Sequence, residues 1–381
     1  GLTEPDAGTD LQGIQTKAVL EGDHYIVNGS KMWITNGRFA NPLPVLVKTD
    51  TSAQPAHKGM SVLLMDQTAE GFEISKDIGK MGYKGPESCV LMFSDVKVHK
   101  SMLLGEVEGK GLQQVLSSLE IGRLNIAARA VGIAQEAYNQ ALIYSKERKA
   151  FGKEINEFQA IQLKLAEMAT NVQASRLLTW WSASMADQGK RVDTEAGMAK
   201  YFSSEVAIAN ALDAMRIHGG MGYSMETGIE MGYRDARITR IYEGTNEINR
   251  MLSVAELTKR HLKSKEINLT KAGKKLPGLL FKQALPFSSN DEARIIENIK
   301  ACFLLISGAA GKKLGKKLVD EQEIVMNLAD ILAEGFLAEA AYLRVEKLKT
   351  KNLSDPESIK IMENIVKVYL YEALDTVRKA G

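Results

Sequence analysis

The apolar residues of this chain change their spacing near residue 105, and the change separates two kinds of structure. Before it, short runs rich in Val, Ile, Leu and Met are divided by turn sequences, which is the pattern of β-strands. After it, apolar residues recur every three or four positions over long stretches, which is the pattern of bundle helices. The sequence therefore predicts an α+β fold that is mostly α.

The strand-like runs predict a small antiparallel β-domain over residues 1–105. Glycine at the centre of 21–23 and of 28–30 predicts a turn at each place. The runs themselves lie at residues 11–20, 25–27, 31–35, 43–48, 60–65, 72–74 and 89–98.

The helical stretches predict two further domains. A four-helix bundle is expected over residues 106–260, with helices at 111–146, 158–187, 193–218 and 245–261. A second, C-terminal helical domain is expected over residues 289–381, with helices at 290–318, 321–350 and 355–380.

Residues 261–288 are predicted to be a basic linker between these helical domains. Six Lys residues between 263 and 282 surround Leu and Phe side chains, while Pro277 and Pro286 interrupt regular structure. Two interpretations remain open. The segment lies on an anionic membrane surface, or it is a solvated linker whose apolar residues dock on the bundle.

Composition and missing motifs exclude several classes of protein. With 49 basic and 47 acidic residues the net charge is +2, which predicts no nucleic-acid partner. Cys89 and Cys302 form no CxxC pair, so we expect a reducing compartment and no zinc site. The sequence has no GxGxxG after a strand, no GxxxxGK[ST] and no HExxH, which argues against Rossmann dehydrogenases, P-loop NTPases and zinc hydrolases.

Glu243 lies where one helical pattern has ended and another begins. Helical spacing runs up to Ala236, Gly244 permits a sharp bend, and Thr245 is suited to cap a new helix. One interpretation is a carboxylate aimed into a cavity, whose pKa burial raises toward neutrality so that it can act as a base on a weakly acidic C–H. The other is a helix-start Glu favoured by the helix dipole.

Two connections in the bundle, residues 146–152 and 216–222, also carry candidate binding residues. Arg148 and Phe151 are suited to a phosphate and a flat ring, although a solvated Arg beside a core Phe has the same pattern. Three Gly residues in 216–222 would let a ligand approach the backbone, or would serve only to end a helix. His218 is either a proton donor or a hydrogen-bonded structural residue.

Five motifs in one order give the chain a resemblance to a known family. They are Leu-Thr-Glu-Pro-Asp-Ala-Gly-Thr-Asp at 2–10, Trp-Ile-Thr-Asn-Gly at 33–37, Arg-Lys-Ala-Phe-Gly at 148–152, His-Gly-Gly-Met-Gly at 218–222 and Tyr-Glu-Gly-Thr at 242–245. Over about residues 1–258 the chain resembles the acyl-CoA dehydrogenases, the flavoenzymes that open each round of fatty acid β-oxidation. The resemblance implies FAD as cofactor, conversion of an acyl-CoA to its trans-2-enoyl-CoA, and transfer of electrons to an electron-transfer flavoprotein.

The resemblance also implies roles for individual residues. Glu243 matches the catalytic base that removes the α-proton while the β-hydrogen leaves as hydride to flavin N5, and its backbone N–H matches the group that holds the thioester carbonyl. Glu120, Arg123 and Gly244 match the substrate side. The residues that match FAD contacts are Thr3, Gly8, Thr9, Trp33, Thr35, Arg148, Phe151, Gln159, Arg216, Gly219, Gly220, Thr245 and Glu247.

Some relatives carry the base immediately before the residue that matches Arg123, but here that position is Gly122, so Glu243 is the only matching carboxylate. The chain departs from the common pattern at Arg216, where many members have Gln. It also departs at Ala150, which lacks a hydroxyl often found there.

The helices after residue 288 resemble the extension of the very-long-chain type, which implies a homodimer and a medium to very long acyl chain. The family's N-terminal helical domain is expected before Gly1, so the chain is interpreted as a fragment. We expect an intracellular protein of a bacterial cytoplasm or a mitochondrial matrix. Two alternatives remain: a non-catalytic assembly or scaffold relative of the same fold, and a dehydrogenase for short branched acyl-CoA.

Overall fold

The structure is a computed structural model that describes residues 1–260, 274, 291–351 and 353–381. These residues form two compact units, Gly1–Ile121 and Gly122–Gly381. The first unit is built on a β-sheet and the second is helical apart from one short hairpin. The predicted α+β fold, mostly α, is confirmed.

The first unit contains a six-stranded sheet with strand order β4-β3-β1-β2-β6-β5. Neighbouring strands are antiparallel except for β1 and β3, which pair in parallel at Lys17 and Lys48. The strands are β1 (Lys17–Glu21), β2 (His24–Thr35), β3 (Leu43–Lys48), β4 (Met60–Met65), β5 (Phe72–Ile74) and β6 (Ser88–His99).

Around β3, apolar side chains cover both faces of the sheet. Val45 and Val47 of β3 belong to the larger cluster, whereas Leu46 points to the opposite face and packs with Val115. Val115 is in the first turns of helix α1 (Gly111–Glu147). Because residues 45–47 are buried on alternate faces, β3 is apolar from Leu43 to Val47 instead of alternating with polar residues.

The turn predicted at residues 28–30 is wrong. These residues lie inside β2, where the pairing with β6 shifts its register between Val27 and Gly29. Gly29 has a φ of 146°, and a Cβ at this position would be 2.6 Å from Thr16 Oγ1. Glycine is required here because a bulge brings the strand against another backbone, and the chain does not reverse.

The second unit contains the long helices of the predicted bundle. After α1 come α2 (Gln159–Asp187), α3 (Asp193–His218) and, following two shorter helices, α6 (Asn246–Lys259). The shorter helices are α4 (Gly220–Tyr223) and α5 (Ile229–Ala236), and strands β7 (Lys149–Ala150) and β8 (Lys153–Glu154) form a hairpin between α1 and α2.

Three more helices follow in the same unit: α7 (Asp291–Leu314), α8 (Gln322–Thr350) and α9 (Pro356–Ala380). The helix expected to reach residue 318 ends earlier, because a 3-10 segment begins at Gly315, which has a φ of 53°. One continuous apolar cluster joins these helices to α2, α3 and α6, and its members include Leu178, Met198, Leu257, Leu328 and Leu370.

The division of the chain into four domains remains a prediction. The linker predicted at 261–288, including its proposed membrane contact, lies outside the described residues except for Lys274. Among the described residues, no helix is both long and apolar enough to cross a bilayer.

Candidate active site

Glu243 lies on a tight corner between two helical segments of the second unit. Helix α5 ends at Ala236, a 3-10 turn covers Arg237–Arg240, and α6 begins at Asn246. Thr245 caps α6, because its hydroxyl accepts a hydrogen bond from the Ile248 N–H at 3.3 Å. The corner expected from the sequence is therefore present.

The backbone of the corner is left-handed at two successive residues. Glu243 has a φ of 54° and Gly244 a φ of 77°. Glycine adopts this conformation readily, but for a residue with a Cβ it is unfavourable by about 1–2 kcal/mol. A strained Glu persists only where the surroundings enforce it, which is commonly at a functional site.

Three buried side-chain contacts enforce the corner. The Gly244 carbonyl accepts hydrogen bonds from Lys200 Nζ at 2.7 Å and from Asn249 Nδ2 at 2.8 Å. Asn249 Nδ2 also lies 3.0 Å from the Thr245 carbonyl. Both side chains are buried, so the peptide after Glu243 is held from two sides.

The Glu243 carboxyl group fits against helix α1 only because that helix has a glycine there. A Cβ on Gly122 would be 2.6 Å from Glu243 Oε2 and 2.9 Å from Cδ. Oε2 is itself buried, and within residues 1–260, 274, 291–351 and 353–381 it has no hydrogen-bond partner. Buried polar atoms are normally paired, so this oxygen is available for a bound molecule.

Two cations partly offset the effect of burial on the pKa of this carboxyl group. Burial raises the pKa of Glu243, while Arg123 on α1 and Lys200 on α3 lower it. Burial also lowers the pKa of Lys200 to about 7. A carboxyl group whose pKa is raised toward neutrality can exchange a proton with a weak carbon acid.

The other candidates for contact with the substrate or beside the base lie within a few residues of Gly122 or Glu243 in the sequence. Arg123 is buried and Glu120 is half-buried, one turn earlier on α1. Glu247 is exposed in the first turn of α6, where hydrogen bonds with its own backbone N–H hold its pKa below the usual range.

In the first unit, a buried ion pair fixes the opening loop. Glu4 accepts hydrogen bonds from Lys31 Nζ at 2.7 Å and from the Thr16 N–H at 3.1 Å. The Met32 N–H donates to the Thr3 carbonyl at 2.7 Å, which ties the loop to β2. Gly8 is exposed, and a Cβ there would meet nothing within 4 Å.

The predicted ring-contact residues Trp33 and Thr35 are exposed at the end of β2. Trp33 is 50% exposed and has a φ of 62°, which is unusual for a bulky residue. The strand pairing shifts its register between Lys31 and Ile34, so a second bulge reorients the backbone at this tryptophan. A large flat side chain is thus held in a strained conformation with one face in solvent.

The connection after α1 exposes its candidates as well. Phe151, in the turn between β7 and β8, is 97% exposed with a φ of 52°. Arg148 and Gln159 are also exposed. The alternative of a core phenylalanine is therefore wrong for Phe151. Trp33, Phe151 and Glu243 combine a bulky side chain with positive φ, as Tyr83 and Glu106 also do.

The turn after α3 has an open backbone. Gly219 has a φ of 61°, and a Cβ on Gly219 or Gly220 would meet nothing within 4 Å. Arg216 is exposed and forms an ion pair with Asp213 at 3.1 Å. His218 is buried and hydrogen-bonded to the Ala214 carbonyl at 2.7 Å, which favours the structural interpretation of this histidine.

Lys200 and Asn249 were not predicted from the sequence. The sequence offers a signal for Lys200, because it is the one cation in residues 194–204, a stretch rich in small and apolar residues. A lysine inside such an apolar stretch requires a buried acceptor. Asn249 resembles any polar residue in the second turn of a helix, so its pattern carried no such signal.

Comparison with known proteins gives matches along most of the chain. The family model described as "Acyl-CoA dehydrogenase, middle domain" matches residues 1–96, and "Acyl-CoA dehydrogenase, C-terminal domain" matches residues 109–258. A second model with the latter description matches residues 298–381.

Individual relatives match parts or all of the chain. The caffeyl-CoA reductase-Etf complex subunit CarC of Acetobacterium woodii is 41% identical over 259 residues, 68% of either chain. The human mitochondrial short-chain specific acyl-CoA dehydrogenase is 42% identical over 256 residues, 67% of this chain and 61% of that enzyme. A crystal structure of an acyl-CoA dehydrogenase complexed with FAD, from Bacillus anthracis, superposes with a TM-score of 0.92 at 32% identity, covering 100% of this chain and 67% of that one.

Proposed function

Because the chain belongs to the acyl-CoA dehydrogenase family, an oxidoreductase family acting on CH–CH donors, we propose that it dehydrogenates acyl-CoA thioesters with Glu243 as the catalytic base. The observation that carries this proposal is the Glu243 carboxyl group on its strained corner, whose Oε2 is buried and unpartnered among the described residues. A structural glutamate would use its oxygens to bind protein groups, whereas a base must keep one of them for its substrate.

The proton removed by the base is the one on the carbon next to the thioester carbonyl. Glu243 must be ionised to accept it, and Arg123 and Lys200 favour the ionised form against the effect of burial. The burial itself makes the carboxylate a stronger base than a solvated one. Burial has the larger effect, so the pKa of Glu243 is raised above that of a solvated Glu, which favours proton exchange with a weak carbon acid.

The negative charge that develops on the substrate needs a hydrogen-bond donor. In the described part of the chain the backbone N–H of Glu243 has no acceptor, and the left-handed corner fixes its direction. We assign it as a hydrogen-bond donor to the thioester carbonyl, where it lowers the barrier to removal of the α-proton by stabilising the enolate-like oxygen. The same residue then provides both the base and a donor.

The cofactor is FAD, which supplies a hydride acceptor for the β-hydrogen when it is bound. The residues present fit such a group. Trp33 offers an exposed flat face suited to a ring, and the open backbone at Gly219 and Gly220 lets a phosphate approach. Arg148 and Arg216 supply exposed positive charge, and Phe151 supplies an exposed ring for the adenine half.

The reverse reaction is the second candidate, since one relative is a subunit of a caffeyl-CoA reductase-Etf complex. A carboxyl group with a raised pKa also serves as a proton donor, so Glu243 would then protonate the α-carbon of an enoyl-CoA. The direction is tested by comparing the extent to which acyl-CoA reduces the bound flavin with the extent to which enoyl-CoA oxidises the reduced flavin.

We further propose an electron-transfer flavoprotein as redox partner, a homodimeric assembly and a preference for medium to very long acyl chains. The name of the Acetobacterium relative supports the partner, because that protein belongs to an Etf complex. The exposed ring of Phe151 supports a dimer, since a second surface would remove this apolar group from water. Light scattering tests the dimer, and the ratio of kcat/KM for palmitoyl-CoA to butyryl-CoA tests chain length.

The central experiment measures the visible flavin absorbance of the purified protein before and after anaerobic addition of butyryl-, octanoyl- and palmitoyl-CoA. Glu243→Gln is expected to keep the flavin but to slow its reduction by about 10²- to 10⁴-fold. Glu226→Gln is the matched control, because this exposed carboxylate has no role in the proposed site and its loss should leave the rate within about threefold. An unchanged rate of flavin reduction in Glu243→Gln contradicts the assignment of Glu243 as the base. A wild-type protein that contains flavin but reacts with no acyl-CoA or enoyl-CoA supports a non-catalytic relative.

A further inference from the structure

Lys200 is a cation inside the apolar core of the second unit. Its side chain is fully buried, at 0% exposure, between Met198, Ala199 and Tyr201, which are themselves buried. Removing an ammonium group from water is unfavourable by several kcal/mol unless the protein provides strong partners. A lysine in this environment therefore needs a reason beyond packing.

The partners of Lys200 belong to the corner that carries Glu243. Lys200 Nζ donates to the Gly244 carbonyl at 2.7 Å and to Asn246 Oδ1 at 3.0 Å. The Asn246 side chain is fixed in turn, since its Nδ2 donates to Glu205 Oε1 at 2.7 Å. The ammonium group thus holds the first residue after the base and the first residue of α6.

Four ionisable groups face Lys200. Glu243, Glu205 and Glu247 raise its pKa, Arg123 lowers it, and Glu243 has the largest effect of the four. In the opposite direction, Arg123 and Lys200 are the two cations that lower the pKa of Glu243. The charge of Lys200 and the ionisation of the base are therefore coupled.

We propose that Lys200 is a positioning residue for the catalytic base: its ammonium group, bonded to the Gly244 carbonyl, holds the left-handed corner in place and sets a positive charge next to the residue that carries the carboxyl group. This inference rests on the proposed function of Glu243. A second consequence follows for the substrate, because the hydrogen bond to the Gly244 carbonyl fixes the peptide that adjoins the donor N–H of Glu243.

The inference predicts that neutralising Lys200 shifts the titration of Glu243. Lys200→Met removes the charge and both hydrogen bonds, while Lys200→Gln removes the charge but keeps a donor. In both variants the acid limb of the kcat/KM profile is expected to move to higher pH, because Glu243 holds its proton more tightly without the cation. Lys200→Met is also expected to lose about tenfold to a hundredfold in kcat through the displaced corner, with a smaller loss in Lys200→Gln.

Arg250→Met is the matched control. Arg250, on helix α6, is another cation of the second unit, and its Nε donates a hydrogen bond to Asp330 Oδ1 at 2.6 Å. It is not among the charges that act on Glu243. Its loss should lower stability without moving the acid limb. If Lys200→Gln also leaves the limb in place, Lys200 serves only as a hydrogen-bond donor and the inference is wrong.

A measurement without turnover separates this inference from the proposed function. Carbon-13 NMR of protein labelled at glutamate Cδ follows the ionisation of Glu243 directly, with Glu243→Gln identifying the signal, and the titration should move upward in Lys200→Gln. By linkage, Glu243→Gln should lower the pKa of Lys200 from about 7 in lysine-labelled protein, a test that holds even if the Lys200 variants do not fold. If the titrations of Lys200 and Glu243 are coupled but the wild-type protein is inactive, the inference about Lys200 is supported and the proposed function is refuted. If the two titrations are independent and the wild-type protein is active, only the inference about Lys200 is refuted.

Discussion

The close approach of helix α1 to the base makes Gly122→Ala the most discriminating substitution in the chain. A Cβ at this position would lie 2.6 Å from Glu243 Oε2, whereas ordinary contacts begin at 3.4 Å, so the carboxyl group has to withdraw by about 0.8 Å. Misplacement of a reacting group by about 1 Å is commonly associated with a loss of about 10²-fold in rate. We therefore expect kcat to fall about 10²-fold, which corresponds to about 2.7 kcal/mol in the activation barrier.

Stability and activity should change in opposite directions in this variant. The group in the way is the end of a flexible side chain, so the protein can still fold, and replacing a mid-helix glycine with alanine stabilises a helix by about 1 kcal/mol. Gly132→Ala is the matched control. It lies on the same helix, is exposed, and its added Cβ would meet nothing within 4 Å, so it should gain the same stability and keep full activity.

The assay is single-turnover reduction of the flavin by acyl-CoA, which reports the chemical step, combined with urea unfolding of both variants. KM is expected to stay within about threefold, because only the base moves. A Gly122→Ala variant as fast as wild type would refute the geometry proposed for the base. An equal loss in Gly132→Ala would attribute the effect to helix rigidity instead.

Three further predictions concern other buried or strained groups. Burial raises the pKa of Glu334 to about 7, so the folded state keeps a proton that the unfolded state loses above about 4.5. The free energy of unfolding should therefore fall by about 3 kcal/mol as pH rises from 4 to 8. Urea titrations at several pH values should find this fall reduced in Glu334→Gln. Lys31→Met leaves the buried Glu4 carboxylate without its cation and should lower the free energy of unfolding by about 3–5 kcal/mol, a value under about 1 kcal/mol being contradictory. Phe151→Gly removes an exposed ring at positive φ and should leave stability unchanged or raise it by about 1 kcal/mol while the protein loses FAD on gel filtration; retention of flavin at wild-type occupancy would count against the adenine contact.

The helices could be predicted from the sequence because their signals are local. The helix predicted at 193–218 agrees with α3 at both ends, since polar residues precede it and two glycines follow it. The strands predicted at 43–48, 60–65 and 72–74 likewise match β3, β4 and β5. In these segments apolar periodicity and turn residues act in the same direction, so tertiary contacts had nothing to override.

The bulges and the buried charges could not be predicted in this way because they depend on residues far apart in the chain. Asn28, Gly29 and Ser30 have the composition of a turn, but the pairing of β2 with β6 keeps them extended. The Lys200 contact with Gly244 joins residues 44 positions apart, and no local pattern records it.

For the active-site candidates, sequence motifs indicated which residues matter, and the structure supplies the reason. Glu243 was singled out from a glycine corner and a family resemblance, yet neither indicated the missing partner of Oε2 or the role of Gly122 in making room for it. Trp33 and Phe151 were expected as ring contacts, but their left-handed backbone was not, because aromatic residues rarely adopt it.

The single apolar cluster shared by helices α2, α3, α6 and α7–α9 has a consequence for how such enzymes diversify. The last three helices cannot be removed without other changes, because Leu178, Met198 and Leu257 would then be exposed to water. A lineage that gains or drops these helices has to change the complementary faces of α2, α3 and α6 at the same time, either to polar residues or to a surface that another subunit covers.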